Sequence, residues 1–104
     1  MDQYRVLITR SAQNDLMDIS SYIRDELKEP AIAIKLVEKL KVSIMSLSTF
    51  PLRYNLVVDE RLSAQGFRKF IIDNYLVFYL VSEKEQTVNV VRILYGKRDW
   101  EHLL

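Results

Sequence analysis

The chain has no cysteine, so disulfide scaffolds, thiolate metal sites and thiol nucleophiles are excluded. It has one histidine, His102, which rules out a His-pair metal site. With only 2 glycines and 2 prolines there are few sharp breaks, and most residues are expected in regular elements. No linker, internal repeat or low-complexity stretch is visible. An excess of one charge is also missing. Lys+Arg 15 against Asp+Glu 14 gives a formal charge of +1, which argues against a dominantly electrostatic nucleic-acid binder but leaves room for a local basic patch. The longest apolar run, residues 75–81, is far too short to span a membrane. The opening residues hold no apolar stretch of signal-peptide length. A cytoplasmic location without membrane contact is therefore expected, with no cofactor and no metal.

What is present is an ordinary globular balance, 49% apolar and 28% charged, consistent with a single domain over residues 1–104. A chain of this length can bury a working core without disulfides. Residues 4–9 read as a short strand rich in β-branched and aromatic types. Ser11 is a candidate N-cap for a helix over 12–27, in which Ala12, Leu16, Ile19, Ile23 and Leu27 recur at helical spacing. Pro30 can open a second helix, whose stripe is Ala33, Leu36, Val37, Leu40, Ile44 and Leu47 and which should end near Thr49, before Phe50-Pro51. Residues 51–65 are polar and poorly periodic and read as a loop, with room for a short strand at 56–58.

After Gly66 the period changes to two. Strands are expected at 67–72, 75–81 and 87–95, joined by a two-residue turn at Asp73-Asn74 and a charged turn at 82–86. Gly96 ends the last strand, and the tail is anchored by Trp100, Leu103 and Leu104. The predicted architecture is α+β: an N-terminal strand, then a two-helix hairpin packed on an antiparallel sheet of three to four strands. The opposite sheet face is expected to stay open, and function to sit there or on the outer helix surface.

The second half carries a resemblance. Gly66-Phe67-Arg68-Lys69, then Asn74-Tyr75-Leu76-Val77-Phe78-Tyr79, then the valine-rich strand running into Gly96-Lys97-Arg98-Asp99, behind a helix hairpin of this length, is similar to the RelE/ParE superfamily. These are toxins of bacterial type II toxin–antitoxin (plasmid stabilisation) systems. The resemblance covers nearly the whole chain. It implies an α+β toxin domain that arrests growth and is neutralised by a cognate antitoxin, a segment of which wraps the fold and often packs on the helices. It also implies one of two targets: DNA gyrase, poisoned without known hydrolytic chemistry, or ribosome-bound mRNA, cut by an endoribonuclease.

Cleavage of RNA by its own 2′-OH needs a proton removed, added negative charge stabilised and the leaving oxygen protonated. Aligned on Tyr75 and Gly96, the nuclease set falls on this chain only in part. One lysine falls on Lys69 and one arginine on Arg98. A second lysine falls on Phe67, the central-strand arginine on Leu76 and the C-terminal tyrosine on Leu104. Leucine can neither stabilise charge nor move a proton, so the gyrase-poison branch is favoured and the ribosome-dependent nuclease is the alternative.

If the chain is a nuclease, Arg98, Lys69, Arg68 and His102 are its catalytic candidates, although His102 in a tail is more simply a solvated side chain. Arg68 shares strand parity with Phe70 and Ile72, and Arg92 with Val88, Val90 and Leu94. An arginine in such an alternation must be ion-paired, for example with Asp73, Asp99 or Glu101, or must line a polar cleft. Tyr75, Tyr79 and Tyr95 fit sheet packing, and only Tyr95, beside Gly96, invites a catalytic or stacking role. Ile34, Val42 and Met45 project away from the core stripe of the second helix, and Met17 and Tyr22 from that of the first. Grouped on a helix surface, these five are the candidate antitoxin-binding residues.

Overall fold

A computed structural model describes residues 3–96 together with Trp100, Leu103 and Leu104. Strand β1 is Arg5–Ile8 and helix α1 is Arg10–Ser21, continued by one π-helical turn, Tyr22–Glu26. Helix α2, Pro30–Met45, carries its proline in the first turn and runs into a 3₁₀ turn, Ser46–Ser48. A short helix α3, Glu60–Ala64, precedes β2 (Arg68–Ile72), β3 (Tyr75–Ser82) and β4 (Thr87–Tyr95). The hairpin and the three-stranded meander thus stand where hydrophobic periodicity put them.

The sheet order is β1-β4-β3-β2. The meander is antiparallel, but β1 lies parallel to β4, so the four-stranded sheet is mixed rather than wholly antiparallel. The helix pair between β1 and the meander supplies the crossover that a parallel pairing needs. Two further details differ from expectation. Thr9, not Ser11, is the N-cap of α1: its hydroxyl accepts from the Ala12 N–H and donates to the Val91 carbonyl, tying the helix start to β4. Leu27 is exposed, because the π turn rotates the end of the stripe away from the sheet.

The helix hairpin covers one sheet face. Ala12 and Ile23 from the first helical segment and Ala33, Leu36, Leu40 and Ile44 from α2 pack on Phe70, Val77, Tyr79, Val88, Val90 and Ile93. Tyr79 is fully buried at the centre, and its hydroxyl donates to the Pro51 carbonyl at 2.8 Å. Burial pushes that hydroxyl's pKa upward.

The other face is not open. Val57 and Leu62 of the 51–65 segment join Phe67, Leu76, Phe78 and Leu94 in a second buried cluster, with Trp100, Leu103 and Leu104 packed against it. Residues 51–65 are therefore more than a loop. Asp59 caps α3 by accepting from the Leu62 N–H, and this places Leu62 on the sheet. Leu56 makes an isolated bridge to Arg68, the remnant of the expected strand.

Strand β4 carries a bulge. Phe78 pairs with Arg92 while Tyr79 pairs with Val90, leaving Val91 as the extra residue. The alternation therefore changes phase: Val88, Val90 and Ile93 face the helices, while Leu94 enters the second cluster. Arg92 does not share a face with Val88 and Val90 as unbroken alternation would require.

Candidate functional site

The second sheet face is where the resemblance would put nuclease chemistry, and its centre is apolar. Phe67 and Leu76 are each 8% exposed, and Leu104 packs on the same cluster. The three positions onto which the resemblance would map a lysine, an arginine and a tyrosine of the nuclease set thus belong to or pack on a hydrophobic cluster. Trp100 lies against Phe78 with ring centroids 4.9 Å apart. The Lys69 ammonium sits 4.9 Å from the Trp100 ring centroid, at the rim of this cluster.

Arg68, one residue earlier in the strand, has the opposite parity. Its Nη1 donates to the Tyr54 carbonyl at 2.7 Å, and the Tyr54 ring stacks on Phe70 at 4.5 Å. Arg68 thus fastens the 51–65 segment to the sheet edge and does not join Lys69. Arg92 is an ion-paired arginine, but its partner is Asp15 of α1 rather than Asp73, Asp99 or Glu101. Nε and Nη2 grip the two carboxylate oxygens at 2.7 and 2.9 Å, and Nη1 donates to the Leu103 carbonyl at 3.0 Å. Donating to the Asp15 carboxylate strengthens the guanidinium's hold on its proton. Asp73 instead pairs with Lys39 across 3.0 Å at the surface. Arg98 and His102 lie outside the described residues. Among the described residues, then, Lys69 is the one catalytic candidate on the second face.

All five helix-surface residues are exposed: Ile34, Val42 and Met45 on α2, Met17 on α1 and Tyr22 in the π turn. At 100° per residue Ile34, Lys41 and Met45 form one outward stripe of α2, with Val42 beside it. Met17 borders a shallow groove of about 260 Å³ between α1 and α2, lined also by Leu16, Arg24, Val37 and Lys41. Tyr22 does not belong to this surface. It lies on the far side of α1, in a larger cleft of about 690 Å³ between the end of that helix and the β3–β4 sheet edge. Asp18, Ile19, Leu27, Tyr75 and Tyr95 line the cleft with it. Tyr75 and Tyr95 meet edge to face with centroids 5.7 Å apart. Sequence reasoning found the three tyrosines separately but not their convergence, which depends on the pairing of Tyr75 with Tyr95 across β3 and β4.

A helix hairpin on a four-stranded mixed sheet matches the fold of solved ParE and RelE toxins. The chain matches the family model of the ParE toxin of the type II toxin–antitoxin system parDE over residues 6–100, and it belongs to that family. No curated protein sequence matches it. Among solved structures it is similar to a chain of the chromosomal ParDE system from P. aeruginosa, with a TM-score of 0.74 at 18% identity, covering 91% of this chain and 98% of that one. It is similar also to a chain of the RelBE2 toxin–antitoxin complex from Mycobacterium tuberculosis, with a TM-score of 0.62 at 21% identity, covering 89% and 98%. A mutant of E. coli toxin RelE in the free state gives a TM-score of 0.64 at 14% identity, covering 91% and 85%.

Proposed function

We propose that this chain arrests bacterial growth as a ParE-like poison of DNA gyrase and is kept silent by a cognate antitoxin. The observation that carries the choice of target is the second sheet face. A general acid–base site for RNA cleavage needs cations and proton carriers held near one phosphate. Here Phe67, Leu76 and Leu104 fill three of those places and pack into an apolar cluster. Removing one well-placed charge-stabilising or proton-transfer group typically costs about 10²–10⁴ in rate, and more than one is missing. A poison that acts by binding needs none of them. Lys69 is the observation on the side of the alternative, a ribosome-dependent mRNA endoribonuclease, because it keeps its place at the rim of that face.

An antitoxin partner is supported by the neighbouring structures, which include a toxin–antitoxin complex. The exposed apolar stripe Ile34, Val42 and Met45, continued by Met17 across the helix groove, is its proposed seat. The test is expression in bacteria. The chain alone should stop growth, and co-expression of the small reading frame beside its gene should restore it. Normal growth with folded, soluble protein present would leave an inactive relative that only binds antitoxin. A cytoplasmic setting is part of this proposal, and no described helix is long and apolar enough to cross a membrane.

A further inference from the structure

The cleft beside Tyr22 is built from features that point to one kind of guest. Tyr22, Tyr75 and Tyr95 come from three different elements and converge on a cavity of about 690 Å³, within the range of ligand and peptide pockets. The one charged residue in its lining is the exposed carboxylate Asp18, which has no hydrogen-bond or ion-pair partner among the described residues. Ile19 and Leu27 add apolar surface to its lining. Tyr22 is presented by the π turn, with the Leu27 N–H bonded to the Tyr22 carbonyl at 3.1 Å. Lys28, just beyond, holds a left-handed backbone at φ 55, a conformation that costs a non-glycine residue energy. Single π turns and such backbone outliers gather at functional sites.

We infer that this cleft receives an arginine side chain carried by the antitoxin segment, an inference that rests on the toxin–antitoxin reading above. Tyrosine ring faces attract cations, and a guanidinium can stack flat on a ring while its N–H groups reach a carboxylate; a lysine ammonium cannot match this geometry. Asp18 supplies the carboxylate. The Tyr75 hydroxyl is pushed above its ordinary pKa by burial first and then by Tyr95, Tyr22 and Asp73, so it stays neutral and adds no charge of its own to the cleft. The surface is distinct from the Ile34–Met45 stripe, so the antitoxin would grip the helix hairpin from two sides.

The test uses the purified chain and two probes, acetyl-arginine amide and its neutral isostere acetyl-citrulline amide, followed by NMR of the tyrosine rings. The arginine amide should shift the Tyr22, Tyr75 and Tyr95 signals saturably and bind about threefold to tenfold tighter than the citrulline amide, the range of cation–π and exposed ion-pair contributions. Asp18→Asn and Tyr95→Leu should each remove most of that preference, while Tyr95→Phe, which keeps the ring, should retain it. The same Asp18→Asn and Tyr22→Ala variants should weaken binding of the co-expressed antitoxin several-fold. Equal binding of the two amides, or an antitoxin dissociation constant unmoved by Asp18→Asn and Tyr22→Ala, would overturn the inference and leave the toxin reading intact. Failure of the neighbouring gene product to bind the wild-type chain at all would instead overturn the reading on which it rests.

Discussion

The bond set around Arg92 defines a perturbation whose size can be worked out. The Asp15 carboxylate accepts Nε at 2.7 Å, Nη2 at 2.9 Å and the Ile93 N–H at 3.0 Å, while Nη1 donates to the Leu103 carbonyl. The two side chains are 24% and 12% exposed, so solvent screens the pair only in part. Arg92→Leu leaves Asp15 with one donor and frees the Leu103 carbonyl. Breaking one side of a buried pair costs about 3–5 kcal/mol, and the partial exposure reduces this to about 2–4 kcal/mol. In a domain of this size that corresponds to a fall in Tm of roughly 10–25 °C.

The double variant Asp15→Leu with Arg92→Leu should recover much of the loss, because an apolar pair of similar volume strands no charge. Thermal melts of the two single variants and the double variant form the cycle. Since Arg92 holds the backbone of Leu103, Arg92→Leu should also loosen the tail and red-shift the emission of Trp100, the chain's only tryptophan, which lies against Phe78. Single variants that each shift stability by less than about 0.5 kcal/mol, adding without coupling, would refute the account of this pair.

Other expectations are narrower. Ile34→Asp or Met45→Asp should leave the melting curve unchanged, as both residues are exposed. Each should weaken antitoxin binding by about 2 kcal/mol or more, roughly thirtyfold, as read by calorimetry. Unchanged affinity in both would place the antitoxin elsewhere. Gly66 has φ +93, where a side chain is strained, so Gly66→Ala should cost on the order of 1 kcal/mol in denaturant titrations even though space is available for the methyl group. Burial raises the folded-state pKa of the Tyr79 hydroxyl above the ordinary tyrosine value of 10.0. Its contribution is complete below the unfolded value and is lost as pH rises from there toward the folded one, by up to about 1.4 kcal/mol per pH unit. Tyr79→Phe should flatten that alkaline loss in denaturation curves, and an identical slope would argue against it.

Much of the fold was legible because it rests on periodicity. The α2 stripe of Leu36, Leu40 and Ile44 and the apolar run of β3 are signals that tertiary context only reinforces. The direction of β1 was not legible, since residues 5–8 would alternate identically in a parallel or an antiparallel pairing. The β4 bulge was hidden for a related reason. Val90-Val91-Arg92 reads as continuous strand, and only the partner strand reveals that Val91 has no opposite number.

The covered second face was the costliest miss. Its apolar residues are thinly spread through 51–65 and the tail, and α3 is too short for its period to show. The Asp59 cap three residues before Leu62 was its one readable signal. The tyrosine cleft needed the β3–β4 register and the π turn together, and neither leaves a mark in a single sequence.

The choice of target is open to one direct comparison. Purified chain is added to DNA gyrase with plasmid DNA and, separately, to translating ribosomes on a defined message. The account predicts trapped gyrase–DNA cleavage complexes or inhibited supercoiling, relieved by the antitoxin, and an intact message. Codon-specific cuts in the message that vanish in Arg98→Ala or Lys69→Ala, with gyrase unaffected, would contradict it.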